Sequence, residues 1–352
     1  MVVWGGWEWN PDDVVGPRAG GVAYDPARAA WREIAHGPLA PRAGHVATWT
    51  GTEMLVWGGY DDNRTRFDDG AAYDPASDSW RMIAGGPLRW GAGAGSVWTG
   101  TEWWIAATSR KGRVSVAAYD PAADSWRDIP APVRTADGGV SLIWTGSEVL
   151  LMDSTSGLLR ILPNGREWSS EPIDFSEPIA WTGELLVGSR HGDLAQEPFG
   201  WEPWSYPVAW DPVTGDTVGL PLPPHGVGGP LWTGRYLAFF EAGLALDPQV
   251  GEWLQLAIDD GSELVMSRTD PAAVWTGDRL IVWGGWWACP GYSSAWELGY
   301  ELIPAWSTLD DLASLSGSTD GSATLVLGER DELAPRPREL VGMGSTIHTA
   351  AC

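Results

Sequence analysis

Apolar runs of three to five residues recur along the chain, each closed by glycine, proline or aspartate. The clearest example spans residues 41–88. Residues 44–49 alternate small, apolar and polar side chains, which predicts a first strand, A. Thr50-Gly51-Thr52-Glu53 is a tight turn, in which Gly51 can take positive φ without steric cost. Met54-Leu55-Val56-Trp57 is continuously apolar, as expected of a strand, B, covered on both faces, and Gly58-Gly59 ends it. After a polar loop, Ala71-Ala72-Tyr73 predicts strand C, stopped by Asp74-Pro75 because proline cannot donate to a ladder. Trp80-Arg81-Met82-Ile83 predicts strand D.

These parts recur. Trp-Thr-Gly ends at Gly51, Gly100, Gly146, Gly183, Gly234 and Gly277, at intervals of about 45 residues. Strand B returns at Val2-Val3-Trp4-Gly5-Gly6, Trp103-Trp104-Ile105, Val149-Leu150-Leu151, Glu184-Leu185-Leu186-Val187, Tyr236-Leu237-Ala238 and Leu280-Ile281-Val282-Trp283-Gly284-Gly285. Strand C returns with its stop at Tyr24-Asp25-Pro26, Tyr119-Asp120-Pro121, Trp210-Asp211-Pro212 and Leu246-Asp247-Pro248, and the strand-D tryptophan at Trp31, Trp126, Trp168 and Trp253. Four short antiparallel strands at this period predict an all-β propeller of four-stranded blades. Seven B strands favour seven blades, with six as the other count.

Paired glycines after an apolar strand, then Tyr-Asp-Pro, then a tryptophan about six residues on, resemble the Kelch repeat. Pro41-Arg42-Ala43-Gly44-His45 is similar to the segment that opens many Kelch units. The resemblance covers residues 1–290 and implies the propeller seen in the central domain of galactose-oxidase-like proteins. It carries no chemistry with it, because one superfold hosts unrelated functions. Cys289 precedes Pro290, and no histidine cluster around it matches the copper ligands of galactose oxidase. Ser77-Asp78-Ser79-Trp80 lacks the glycine and spacing of a sialidase turn.

The repeat signatures stop near residue 290. Residues 291–352 are expected to form a degenerate closing blade or an irregular C-terminal tail. Residues 293–303 are a candidate C–D pair and 322–327 a candidate strand, and 344–350 resemble strand A. Met1 falls directly in a B strand, so a truncated start is the alternative, with a strand lost and a signal peptide that would direct the protein to the cell envelope or outside.

Composition removes several function classes. Twenty-two Lys and Arg against 46 Asp and Glu give a net charge of -24. No basic stripe exists to neutralise phosphates, so nucleic acid is not an expected partner. No apolar run is long enough for a membrane-spanning helix. The two cysteines, Cys289 and Cys352, form no disulfide framework, and the five histidines show no zinc spacing. Asp61, Asp62, Asp68 and Asp69 are oxygen ligands of the calcium type, but Arg64 and Arg66 interrupt them, which favours a solvated loop. No metal and no cofactor are assigned. His45 recurs at no other repeat position and is expected to make a local structural contact.

In an up-and-down blade the A–B and C–D turns lie at one end and the B–C and D–A connections at the other. The first set is stereotyped here; the B–C connections vary, and variable loops on a rigid scaffold carry binding. Trp7, Trp9, Trp201, Trp204, Trp286 and Trp287 fall in these loops, outside the repeating positions. Exposed indoles stack on sugars or anchor protein partners; buried, they would cover strand ends. In a closed ring the first and last blades would set Trp7, Trp9, Trp286 and Trp287 side by side. The repeating tryptophans, Trp49, Trp98, Trp144, Trp181, Trp232 and Trp275 in the triplets, are expected to wedge blades or pin the A–B turn. The leading expectation is a non-enzymatic scaffold that binds a protein or carbohydrate through the B–C/D–A face. The alternative is a carbohydrate-active enzyme of the epimerase or lyase type, with carboxylates near the propeller axis.

Overall fold

The computed structural model describes the chain except residues 11–12, 26, 29, 89–93, 110, 131–138, 154–156, 163, 166–167, 172, 174–176, 192–204, 222–230, 240–243, 258–267, 270–271, 276–279, 284–285, 290–291, 296–297, 303–304, 309–339 and 342–352. It divides into two compact units, residues 1–219 and 220–352.

The first unit opens with a three-stranded sheet of Val2–Trp4, Gly21–Asp25 and Ala30–Glu33, which correspond to strands B, C and D. Four complete blades follow, each ordered A-B-C-D. The second sheet is Val46–Trp49, Met54–Trp57, Gly70–Asp74 and Ser79–Met82. The third is Ala94–Trp98, Trp103–Thr108, Val114–Asp120 and Ser125–Ile129. The fourth runs from Val140–Trp144 to Trp168–Glu171, and the fifth from Glu177–Trp181 to Thr217–Gly219. The second unit holds one sheet beginning at Leu231–Trp232, to which Ala305–Thr308 adds a fifth strand on Glu252–Ala257. Its other large sheet orders Ala272–Trp275, Leu280–Trp283, Leu298–Leu302 and Leu340–Val341. Sheets of four or five strands thus number six among the described residues, the lower of the two blade counts that the repeat allows. The seventh B strand, Val2–Trp4, lies in the three-stranded sheet. Within 293–303, Leu298–Leu302 pairs with Leu280–Trp283 in the place of strand C. The candidate strands at 322–327 and 344–350 lie outside the described residues.

Strand B is fully buried where the sequence is continuously apolar: Leu55, Val56 and Trp57 have no exposed surface, nor do Trp103, Trp104 and Ile105. The core lies between consecutive sheets. Leu55, Trp57, Ala72 and Ile83 of the second sheet pack with Trp103, Ile105, Ala117 and Tyr119 of the third. Trp104, Val116 and Ile129 of the third pack with Leu142, Val149 and Leu151 of the fourth.

The two interfaces between the first, second and third sheets carry the same polar latch. Trp80 of strand D packs on Tyr73 of strand C at 5.0 Å and donates its indole N–H to Ala35 O of the preceding blade at 2.8 Å. Trp126 repeats this over Tyr119, donating to Ala84 O at 2.7 Å. Tyr73 Oη donates to Asp78 Oδ1 at 2.6 Å, and Asp78 also accepts the Ala35 N–H and Arg32. These bonds, Tyr73's first, hold the Asp78 carboxyl down at about 2. Asp78 takes φ 49 and Asp124 φ 47, left-handed positions that Gly215 and Gly251 fill in other C–D turns. Trp80 and Trp126 of strand D therefore join blade to blade.

The triplet tryptophans divide. Trp98 and Trp144 are half-buried against the inter-sheet clusters, as expected of wedges. Trp49 is 48% exposed, and the threonine and glycine beside it hold its turn. Thr50 Oγ1 accepts the Glu53 N–H at 3.0 Å, and Gly51 sits at φ 104.

Candidate functional site

The B–C end of the first two sheets is built on two glycine pairs. Strand B of each sheet runs out through Gly5-Gly6, at φ 66 and 94, or Gly58-Gly59, at φ 76 and 92. L-residues with a Cβ rarely occupy this region, so the pair turns the chain sharply. The turn also lets residues 41–45 pass close by. A Cβ on Gly5 would lie 3.0 Å from Arg42 O, and one on Gly59 2.8 Å from Ala43 O. Gly6 N donates to Arg42 O at 3.0 Å, and Ala43 and Tyr60 exchange two bonds of 3.0 Å.

Arg42 is the anchor of this crossing. It is completely buried, yet each of its three nitrogens donates: Nε to Ala40 O at 3.0 Å, Nη1 to Gly58 O at 3.1 Å and to Asp69 Oδ1 at 2.6 Å, and Nη2 to Asp69 Oδ2 at 3.3 Å. Its guanidinium lies over the Phe67 ring at 4.1 Å. Asp69 is thereby committed to an ion pair, and Asp61 Oδ1 caps its own loop through the Thr65 N–H at 2.7 Å. Asp69 and Asp61 are thus put to different uses.

His45 lies beneath this crossing. Its ring meets Trp4 edge-on at 5.3 Å, and its Nδ1 is buried without a hydrogen-bond partner. Burial, and then the Arg42 cation, push its pKa down to about 4.

Two aromatic side chains stand on this base. The segment after Gly6 forms a hairpin of Trp7–Asn10 with Asp13–Pro17, in which Trp7 pairs with Pro17. Trp7 is 43% exposed and Tyr60 36%, with ring centroids 6.5 Å apart at 42°. Tyr60 lies over Gly44, where a Cβ would come within 2.5 Å of its ring. Asp62, exposed, is the residue nearest the hairpin's Gly16. An arrangement of this kind can stack on a flat or cationic group while keeping a carboxylate beside it.

Of the tryptophans expected in the loops, Trp7 lies in this group. Trp9 shares its strand, and only the backbone is described there. Trp286 and Trp287 lie together on Trp286–Cys289, which pairs with Tyr292–Ala295 in a second hairpin inserted between strands B and C. They belong to the second unit, whereas Trp7 and Trp9 belong to the first. Trp201 and Trp204 fall outside the described residues. Two connections expected as loops are therefore hairpins, because their β-prone aromatic segments pair with themselves once past the glycines. Tyr60 was not among the expected site residues. A signal existed: an aromatic follows the glycine pair at Trp7, Tyr60 and Trp286 alike.

The second sheet and the residue 41–45 side of the glycine-pair crossing fall within the segment that the family comparison matches. Residues 41–87 match the Kelch motif. The match starts at Pro41, ahead of the buried Arg42, and runs through the second sheet. No curated protein matches the chain. A Kelch propeller is typically a protein-interaction scaffold. Among the described residues no helix is long and apolar enough to cross a membrane.

Proposed function

We propose that this Kelch-type protein is a non-enzymatic binding scaffold that recognises a protein through the B–C/D–A loop face. The observation that carries this reading is the exposed Trp7–Tyr60 pair, raised on a base whose polar groups are otherwise largely taken up. Large aromatic side chains left half in water on a rigid support are the usual anchors of interfaces. The other end of the same strands offers mostly short turns that satisfy themselves.

A carbohydrate ligand is the second reading. An exposed indole face, as on Trp7, also stacks on a sugar ring.

A photo-crosslinking residue placed at Tyr60, and separately at Thr52 on the opposite end, tests the face. The expected result is capture from Tyr60 of a protein that mass spectrometry identifies. Its purified form should then lose about tenfold or more in affinity on Trp7→Ala. Equal capture from Thr52, or binding indifferent to Trp7→Ala, would refute the assignment.

A further inference from the structure

We infer that the Trp7–Tyr60 site takes a cationic side chain, arginine or lysine, presented by a protein partner. This rests on the loop-face reading above and names the chemistry that the face selects.

Three observations point the same way. The first is the treatment of aromatic rings by the chain itself. Arg42 lies 4.1 Å from the Phe67 centroid, Arg127 5.2 Å from that of Trp104 and Arg235 4.8 Å from that of Tyr236. Trp7 and Tyr60 are exposed, and among the described residues no cationic group lies over either ring. The two ring centroids lie 6.5 Å apart with the planes tilted by 42°, and a cation within about 6 Å of a ring face is attracted to it.

The second observation is Asp62. Its exposed carboxylate accepts from the Asn63 amide at 2.8 Å, and among the described residues it pairs with no cation. The same is not true of Asp69, which Arg42 neutralises. The Asp62 Cβ lies 3.9 Å from where a Cβ on Gly16 would stand, on the hairpin that carries Trp7. A guanidinium can use a ring face and a carboxylate at once, which suits a site with both on neighbouring segments.

The third is long-range. A net charge of -24 attracts cationic partners and repels anionic ones before contact, so encounter rates favour a basic segment.

The test is a selection of random dodecapeptides displayed on phage against the full chain, with counter-selection on Trp7→Ala. The expected peptides share an arginine or lysine at one position. Replacing it by citrulline or acetyl-lysine should weaken binding about tenfold or more, and Asp62→Asn roughly threefold to tenfold. Trp7→Phe, which keeps a ring, should restore much of what Trp7→Ala loses, and thermal melts should show each variant folded. Peptides that need Trp7 but no cation would overturn this inference and leave the loop-face reading standing. Peptides indifferent to Trp7 and Tyr60 would overturn both. An empty selection, or one in which only a glycan array shows Trp7-dependent binding, would equally overturn the cationic assignment.

Discussion

Acidification offers a direct test of how tightly the glycine-pair crossing is built, because one histidine sits inside it. The His45 ring is held between Gly5 and Gly59: added Cβ atoms there would reach 3.0 Å from its Cε1 and 3.1 Å from its Cβ. Nδ1 is buried without a partner, Trp4 covers the ring edge, and Arg42 adds a positive charge. Folded His45 therefore stays neutral down to about 4, whereas in the unfolded chain it binds a proton near 6.5. Between these values the unfolded state holds the extra proton, so stability falls as pH falls. The contribution is fully present above 6.5 and exhausted by about 4. A shift of this size corresponds to about 3 kcal/mol in total, of which about 2 kcal/mol is gone by pH 5. The assay is urea unfolding from pH 7.5 to 5, followed by tryptophan fluorescence, for the wild type and His45→Gln. Carboxylates titrate in both proteins and cancel in the difference. The difference should grow toward acid in favour of the variant. Parallel pH profiles, or an NMR midpoint for His45 near 6.5, would refute the reasoning.

Two further outcomes follow from the same crossing and its neighbouring sheet. Arg42→Met keeps the length and apolar stem but deletes the bonds to Ala40, Gly58 and Asp69, so urea melts should show a loss of about 3 kcal/mol. A loss below about 1 kcal/mol would mean that the guanidinium does not hold the crossing. Gly70→Ala puts a Cβ 2.5 Å from Val56 O and 3.0 Å from Trp57, and should cost about 2 kcal/mol or more. Gly85→Ala, with nothing within 4 Å of its Cβ, should be near neutral; equal thermal shifts for the two would show that close approach is not what Gly70 provides.

The repeat was legible because its parts are local. Thr50 and Gly51 make a turn by themselves, and a run such as Met54-Leu55-Val56-Trp57 declares a strand covered on both faces. Tyr24-Asp25 and Tyr73-Asp74 close strand C in the same way because each aspartate caps its own turn, accepting the N–H of Ala27 or Ala76. What the sequence concealed is relational. Nothing in Asp78 announces that it joins Tyr73 to Ala35 of another blade, nor in Arg42 that it is wholly buried. The same holds for the site. Trp7 stood out as an aromatic off the repeat, but Tyr60 became its neighbour only through Gly44 and the Ala43 bridge. The hairpins at 7–17 and 286–295 escaped notice because their partners are each other, whereas the repeat assigns partners only to strands A to D.

The two ends of the blades differ in how their backbone polar groups are met, and this difference bears on where recognition can evolve. At the A–B/C–D end, side chains satisfy the turns: Thr99 accepts from Glu102, Asp120 from Ala122, and Glu102 binds Arg127 with two bonds of 2.7 Å. A substitution there removes a bond that the turn needs, so the end resists change. At the B–C end of the first two sheets, Arg42 and Asp61 supply side-chain bonds and the remaining crossing is backbone to backbone: Gly6 with Arg42, Ala43 with Tyr60, Phe67 with Gly59. The side chains at Trp7, Tyr60 and Asp62 are released from structural duty, and each can be exchanged without unmaking the crossing. A propeller of this design keeps its fold while its loop chemistry varies. If that is right, Trp7→Ala and Tyr60→Ala together should leave the melting curve within about 1 kcal/mol of the wild type. Arg42→Met, at a side chain buried beneath that pair, should not. A double variant as unstable as Arg42→Met would show that the aromatic pair belongs to the foundation rather than to the surface built on it.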